Sequence, residues 1–192
     1  DIEKDAPERK RYKLQDSGAR ILCVLPEELD AIRSQHLEVD LVSTDSFEAA
    51  EGRVEPDLEP DWSGSEALEQ HPNIILYTSG TTGNPKGVLL TRVSITSNAD
   101  GIARWLGFDE HERLSLVLPL HHVNSTVFSI TVLLVGGTLI LNSRYSASGF
   151  WPVVTEEQAT ASSIVPTIMN DLLAGYDTFA QNGYDISSLK KI

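Results

Sequence analysis

Apolar residues recur along this chain in two ways, as short continuous runs and as stripes with helical spacing. The short runs predict strands at residues 20–25, 39–42, 73–77, 87–90, 114–118, 138–141 and 162–165. Helical spacing and start or stop signals predict a short helix ending at Ser17-Gly18 and further helices at 26–35, 93–106, 123–135, 148–158 and 166–173. Strands that alternate with helices of this length predict an α/β fold, a layered and mostly parallel sheet with flanking helices.

One stretch interrupts this pattern. Residues 45–69 contain nine acidic residues against one basic residue, Arg53, together with two prolines. This composition predicts an exposed connector. The sequence is therefore divided into an αβ segment at 1–44, an acidic connector at 45–70, and a hairpin followed by βα units at 71–192. In a second acidic stretch, the turn from Asp109 to Glu112, His111 and Glu112 are also expected to face solvent.

Composition and charge exclude several classes of protein. The 192 residues include 28 acidic and 15 basic side chains, a formal net charge of −13, which argues against nucleic acid as a partner. The single cysteine, Cys23, cannot form an internal disulfide. No apolar stretch approaches the about 20 residues of a membrane span, and the first residues lack the apolar core of a signal peptide. We therefore predict a cytoplasmic protein without a membrane span.

The most informative segment runs from Tyr77 to Val88 and reads Tyr-Thr-Ser-Gly-Thr-Thr-Gly-Asn-Pro-Lys-Gly-Val. Its glycines allow close approach of the backbone to a ligand, and its hydroxyl groups can donate to phosphate oxygens. Lys86 adds one positive charge, and no acidic residue interrupts the segment. These features predict an anion-binding loop. Because Pro85 and Gly87 flank the lysine, the segment does not match the Walker A pattern, and it also lacks the Gly-x-Gly-x-x-Gly pattern.

The run from Thr78 to Gly87 resembles the phosphate-loop signature of the adenylate-forming superfamily, which contains acyl- and aryl-CoA synthetases, luciferases and adenylation domains of peptide synthetases. The resemblance implies formation of an acyl-adenylate and pyrophosphate from ATP and a carboxylic acid, followed by transfer to CoA or a phosphopantetheine thiol. It also implies that the β- and γ-phosphates are bound by Thr78, Ser79, Gly80, Thr81, Thr82, Gly83 and Lys86. Lys86 would contribute to catalysis, and Thr78 would lie near Mg²⁺, which prefers oxygen ligands.

A second segment, Leu118–Asn124, is similar to the next motif of the superfamily, which lies beside the acyl pocket. His122 matches the histidine of that motif, whereas His121 stands where an aromatic Phe or Tyr is usual. The resemblance assigns His122 a catalytic and substrate-binding role and Asn124 a substrate-binding role. Relatives that activate amino acids usually carry a carboxylate here, and none is present from His122 to Ser125. The expected substrate is an aliphatic or aromatic carboxylic acid.

The resemblance extends from Asp16 to Ile192, whereas enzymes of the superfamily are much longer. Their acidic Mg²⁺ ligand, ribose-binding Asp and late catalytic Lys have no counterpart here. We therefore expect part of the large N-terminal domain of an adenylate-forming enzyme, inactive alone, that binds the remaining segments of the enzyme and self-associates through exposed sheet edges. The phosphate loop is expected to be disordered without phosphate. Two alternatives are a naturally truncated nucleotide-binding or interaction module and a structural domain with a vestigial loop.

Overall fold

The computed structural model describes residues 5–48, 71–78 and 84–192. The chain divides into two units, Asp1–Leu90 and Thr91–Ile192. Most of the predicted connector, residues 49–70, lies outside the described residues, so the division at residues 44 and 70 stays a prediction.

The first unit contains two separate pairs of strands. Its elements are α1 (Pro7–Ser17), β1 (Ile21–Val24), a 3-10 turn (Pro26–Glu28), α2 (Leu29–Arg33), β2 (Asp40–Ser43), α3 (Asp45–Glu48), β3 (Pro72–Thr78) and β4 (Lys86–Thr91), whose last residue begins the second unit. Strands β1 and β2 are parallel, with Ile21 opposite Asp40, and β3 pairs with β4. The core of this unit is formed by Leu22, Val24 and Ile32.

Local signals explain both ends of α1. The helix starts at Pro7, where the missing N–H of proline is not needed, and it ends before Gly18, which has a φ of 64°. The predicted stop at Ser17-Gly18 is therefore confirmed. The helix predicted at 26–35 is shorter than expected, because the 3-10 turn occupies its start and α2 ends at Arg33.

The second unit is a three-stranded parallel sheet flanked by helices. Its elements are α4 (Arg92–Leu106), β5 (Arg113–Leu116), α5 (Val123–Leu134), β6 (Thr138–Leu141), α6 (Ala147–Glu156), β7 (Ala161–Ser163), α7 (Pro166–Ala174) and α8 (Tyr176–Asn182). The strand order is β6-β5-β7, and β5 is parallel to both neighbours. The sequence did not predict α8, which packs Phe179 against Trp151 with ring centroids 4.7 Å apart.

Helices cover both faces of this sheet. Leu114 and Leu116 of β5 pack in one core cluster with Ala103 of α4 and Val132 of α5. Val117, on the opposite side of the chain by strand alternation, packs in a second cluster with residues of α6 and α7. Parallel sheets are generally buried on both faces, so this arrangement confirms the predicted α/β fold class.

Helix α5 differs from the prediction of a buried helix at 123–135, because it buries only one face. Leu133 and Leu134 are 61% and 52% exposed, whereas Ser129 and Thr131 are buried. The Ser129 hydroxyl donates to the Ser125 carbonyl oxygen over 2.7 Å, and the Thr131 hydroxyl donates to that of Val127 over 2.8 Å. Because these hydroxyls are satisfied within the helix, they can be buried at low cost.

The expectation that the Asp109–Glu112 turn faces solvent is wrong for Glu112, which is 4% exposed. The Lys191 ammonium lies 2.7 Å from one oxygen of its carboxylate, and the Thr160 hydroxyl donates to the other. The same ammonium lies 4.8 Å from the centre of the Phe108 ring. Burial of Glu112 is possible because both of its oxygens have donors.

Gly137 allows the start of β6 to lie close to the backbone of Glu112, which precedes β5. A Cβ at this position would lie 2.8 Å from the Glu112 carbonyl oxygen, which accepts the Thr138 N–H. Gly137→Ala should therefore lower the free energy of unfolding by about 2 kcal/mol, measured by urea unfolding. Gly101→Ala is the matched control: a Cβ in that part of α4 would meet nothing within 4 Å, and the helix should gain up to about 1 kcal/mol. Equal effects of the two substitutions would contradict this account.

No helix in the described part of the chain is long and apolar enough to cross a membrane.

Candidate active site

The predicted phosphate loop connects β3 with β4. Thr78 is the last residue of β3 and Lys86 the first of β4. Seven residues are too few for a parallel crossover, so the two paired strands form the predicted hairpin. The Thr78 hydroxyl oxygen lies 3.5 Å from the Lys86 carbonyl oxygen. The candidate ligands from Ser79 to Gly83, and the expected disorder of the loop, lie outside the described residues.

Helix α1 contacts one face of this hairpin. The Tyr77 hydroxyl donates to the Asp16 carboxylate over 2.7 Å, and a Cβ at Gly87 would lie 3.3 Å from both Asp16 and Tyr77. Side chains of consecutive strand residues point to opposite faces. Thr78 and Lys86 therefore share the face of the hairpin that is opposite to α1.

The Tyr77 hydroxyl is held in its protonated form. Burial and the nearby Asp16 carboxylate raise the pKa of Tyr77 to about 12. The hydroxyl also lies 3.1 Å from the Lys13 carbonyl oxygen, a second acceptor. Tyr77 is thus a hydrogen-bond donor throughout the neutral pH range.

Lys86 is exposed beside the loop. In residues 5–48, 71–78 and 84–192, no carboxylate forms an ion pair with its ammonium group. No ion pair with a described carboxylate therefore has to break before this lysine binds a phosphate. The residue type and its position fit the predicted role in binding phosphate.

The second predicted motif lies at the carboxyl end of β5, between this strand and α5. His122 is the N-cap residue of α5 and is exposed, and its ring centroid lies 4.6 Å from that of His121. Two hydroxyls fix this connection: Ser125 donates to the Leu118 carbonyl oxygen, and Thr126 donates to that of Leu120 over 2.7 Å. In parallel α/β sheets, ligands bind outside the carboxyl ends of the strands, which is where His122 lies.

Asn124 contacts a residue that sequence reasoning did not identify. Its side-chain amide donates to the Ser163 hydroxyl over 3.2 Å, and Ser163 is the last residue of β7. No motif marks Ser163; only its place within the short strand predicted at 162–165 could have indicated it. Asn142, after β6, likewise donates to the Ser115 hydroxyl and to the Leu116 carbonyl oxygen. The carboxyl ends of all three strands therefore carry polar side chains.

The described residues offer little to a metal ion. Among them, no group of three or more His, Cys, Asp or Glu side chains could hold one. The Thr78 hydroxyl, exposed at the base of the loop, could offer one neutral oxygen to a metal ion. This fits Mg²⁺ bound mainly by nucleotide phosphates and water, because Mg²⁺ usually retains several waters and takes few protein ligands.

The predicted site residues thus fall into two groups. Thr78 and Lys86 lie together in the first unit, at the two ends of the loop. His122 and Asn124 lie in the second unit, at the start of α5.

Comparison with known proteins identifies the family. Residues 4–192 match the family model described as AMP-binding enzyme. The chain therefore belongs to the family of AMP-binding enzymes, the superfamily that the phosphate-loop motif resembles.

Two relatives and one solved structure show the extent of the similarity. The chain is 33% identical to the sulfoacetate–CoA ligase of Cupriavidus necator over 87% of its length, which is 34% of that protein. It is 32% identical to the long-chain-fatty-acid–CoA ligase FadD13 of Mycobacterium tuberculosis over 83% of its length, which is 32% of that protein. The inhibitor-bound N-terminal domain of FACL13 from M. tuberculosis covers 97% of this chain with a TM-score of 0.77 and 29% identity.

The chain spans about a third of the length of these curated relatives and 47% of the FACL13 N-terminal domain. It therefore has the fold of part of the N-terminal domain of an adenylate-forming enzyme.

Proposed function

We propose that this chain forms the phosphate-binding part of an enzyme that activates a carboxylic acid with ATP and transfers the acyl group to CoA or a carrier thiol. The observation that carries the proposal is the position of Thr78 and Lys86. They share the face of the hairpin opposite to α1, at the two ends of a loop rich in glycine and hydroxyl groups. The match to AMP-binding enzymes and the CoA ligases among the relatives support it.

In the proposed reaction, a carboxylate oxygen of the acid attacks the α-phosphorus of ATP. A bond forms between this oxygen and the α-phosphorus, the bond from the α-phosphorus to the oxygen that bridges to the β-phosphorus breaks, and pyrophosphate leaves with the electron pair. Lys86 and the loop would bind the β- and γ-phosphates, where negative charge increases as pyrophosphate leaves. Mg²⁺ bound near Thr78 would neutralise part of that charge.

The acid is proposed to bind at the start of α5. His122 is exposed there, and Asn124 is held by Ser163 at the end of the neighbouring strand β7. Because no carboxylate stands between His122 and Ser125, this segment offers no partner for a substrate ammonium group. An aliphatic or aromatic acid without such a group is therefore the proposed substrate.

The 192-residue chain alone should bind Mg·ATP weakly and should not catalyse ATP–pyrophosphate exchange. Adenylation requires precise positioning of both reactants and charge stabilisation at the α-phosphate. Calorimetric titration with Mg·ATP measures the binding, and incorporation of labelled pyrophosphate into ATP measures the exchange. Mg²⁺ with inorganic sulfate serves as the control for non-specific anion binding.

The two measurements test separate parts of the proposal. If Mg·ATP binds no better than sulfate, the phosphate-binding role is wrong. If the chain catalyses exchange that depends on added carboxylic acid, the expectation of inactivity is wrong, while the assigned chemistry is supported.

A further inference from the structure

We infer that Tyr77 and Asp16 are positioning residues for the phosphate loop, through which helix α1 fixes the two strands that end and begin at the loop. The inference rests on the proposed function, because the loop is taken to bind the phosphates of ATP. Neither residue belongs to the phosphate-loop motif, and both lie on the face of the hairpin opposite to Thr78 and Lys86.

The contacts reach both strands. On the β3 side, Tyr77 directly precedes Thr78. Its hydroxyl lies 2.7 Å from the Asp16 carboxylate and 3.1 Å from the Lys13 carbonyl oxygen. On the β4 side, Gly87 directly follows Lys86. A Cβ at Gly87 would lie 3.3 Å from the same carboxylate. The lack of a side chain at Gly87 thus lets β4 approach α1 closely. A single carboxylate is next to both ends of the loop.

The position of Asp16 within α1 is electrostatically unfavourable. Asp16 is the second-last residue of the helix, where the backbone dipole favours positive charge, and the last turn contains no basic residue. The Tyr77 hydroxyl provides a donor for this carboxylate. The stability of the helix alone gives no reason for an acidic residue at this position. The contact with the hairpin does give one.

The pair lies outside the apolar core of its unit, which is formed by Leu22, Val24 and Ile32. Asp16 is exposed, and Tyr77 is half-buried. The Lys13 ammonium lies 5.7 Å from the centre of the Tyr77 ring and forms an ion pair with Asp5, so the ring is also held from the α1 side. Removing only the hydroxyl should therefore loosen the base of the loop without unfolding the unit.

Tyr77→Phe and Asp16→Ala test the inference in the 192-residue chain. Each should lower the affinity for Mg·ATP by about tenfold, the value of a hydrogen bond to a charged group. Because both substitutions remove the same bond, the double variant should bind no more weakly than either single variant. Without nucleotide, amide hydrogen exchange in β3 and β4 beside the loop should become faster in each variant.

Tyr184→Phe, which removes a tyrosine hydroxyl from the second unit, is the matched control and should change neither the affinity nor the exchange. A purely structural role would instead lower the urea midpoint in proportion to the loss of affinity, and this result would overturn the inference. Normal Mg·ATP affinity in Tyr77→Phe would also overturn it, even if Lys86→Ala binds weakly. If Lys86→Ala binds Mg·ATP normally, the proposed function fails. In that case, unchanged hydrogen exchange in Tyr77→Phe would overturn the positioning role.

Discussion

Replacing Lys86 with alanine will lower the affinity of this chain for Mg·ATP by about 10- to 100-fold. The lysine is exposed at the start of β4, and among the described residues no carboxylate forms an ion pair with it. We expect its ammonium group to bind a phosphate, and a hydrogen bond between charged groups contributes about 1.5–3 kcal/mol. Calorimetric titration of both proteins with Mg·ATP measures the change.

Lys190→Ala provides the matched control, because it removes the same charge from an exposed position in the second unit. Its affinity for Mg·ATP should stay within about twofold of the unchanged chain, because Lys190 lies outside the phosphate-loop segment. Equal losses in Lys86→Ala and Lys190→Ala would indicate non-specific attraction of the nucleotide. No loss in either variant would favour the alternative of a vestigial loop.

Replacing Glu112 with alanine will lower the free energy of unfolding by about 3 kcal/mol. Glu112 is 4% exposed, and its carboxylate accepts hydrogen bonds from the Lys191 ammonium and the Thr160 hydroxyl. Removal of one partner of a buried ion pair typically costs about 3–5 kcal/mol, and the lower value is expected because the Lys191 side chain is 29% exposed. Urea unfolding followed by tryptophan fluorescence measures the difference.

Glu110→Ala separates burial from the loss of an acidic residue. Glu110 lies two positions earlier with a side chain that is 70% exposed, so its replacement should change the free energy of unfolding by at most about 0.5 kcal/mol. The double variant Glu112→Leu with Lys191→Met should be more stable than Glu112→Ala, because no charge is left without a partner. Similar losses in Glu110→Ala and Glu112→Ala would contradict this account.

The sequence predicted the secondary structure well where apolar periodicity was clear. The predicted strand at 138–141 has the bounds of β6, and the helix predicted at 93–106 differs from α4 by one residue. Helix α8 was missed because its stability comes from contacts of Phe179 with the distant Trp151, which no local pattern reveals. The burial of Glu112 was missed for the same reason, since its partner Lys191 follows 79 residues later.

The candidate site was predictable only where a motif defines it. Thr78, Lys86, His122 and Asn124 came from two short segments, and the structure places each at the end or start of a strand or helix. Ser163 and Asp16 were not found, because they reach the site through side-chain contacts with Asn124, 39 residues away, and Tyr77, 61 residues away. Such contacts depend on how elements pack, and spacing in a single sequence does not encode them.

Small side chains are buried on both α4 and α5, and this has a consequence for the evolution of specificity. Ala99 and Ala103 on α4 and Ser125 and Ser129 on α5 are all buried, and the distance between helix axes depends on the size of such side chains. A larger residue at position 129 would push α5 outwards together with its first turn, which carries His122 and Asn124. Substitutions that never touch the acid could therefore reshape the acid site that we propose at the start of α5.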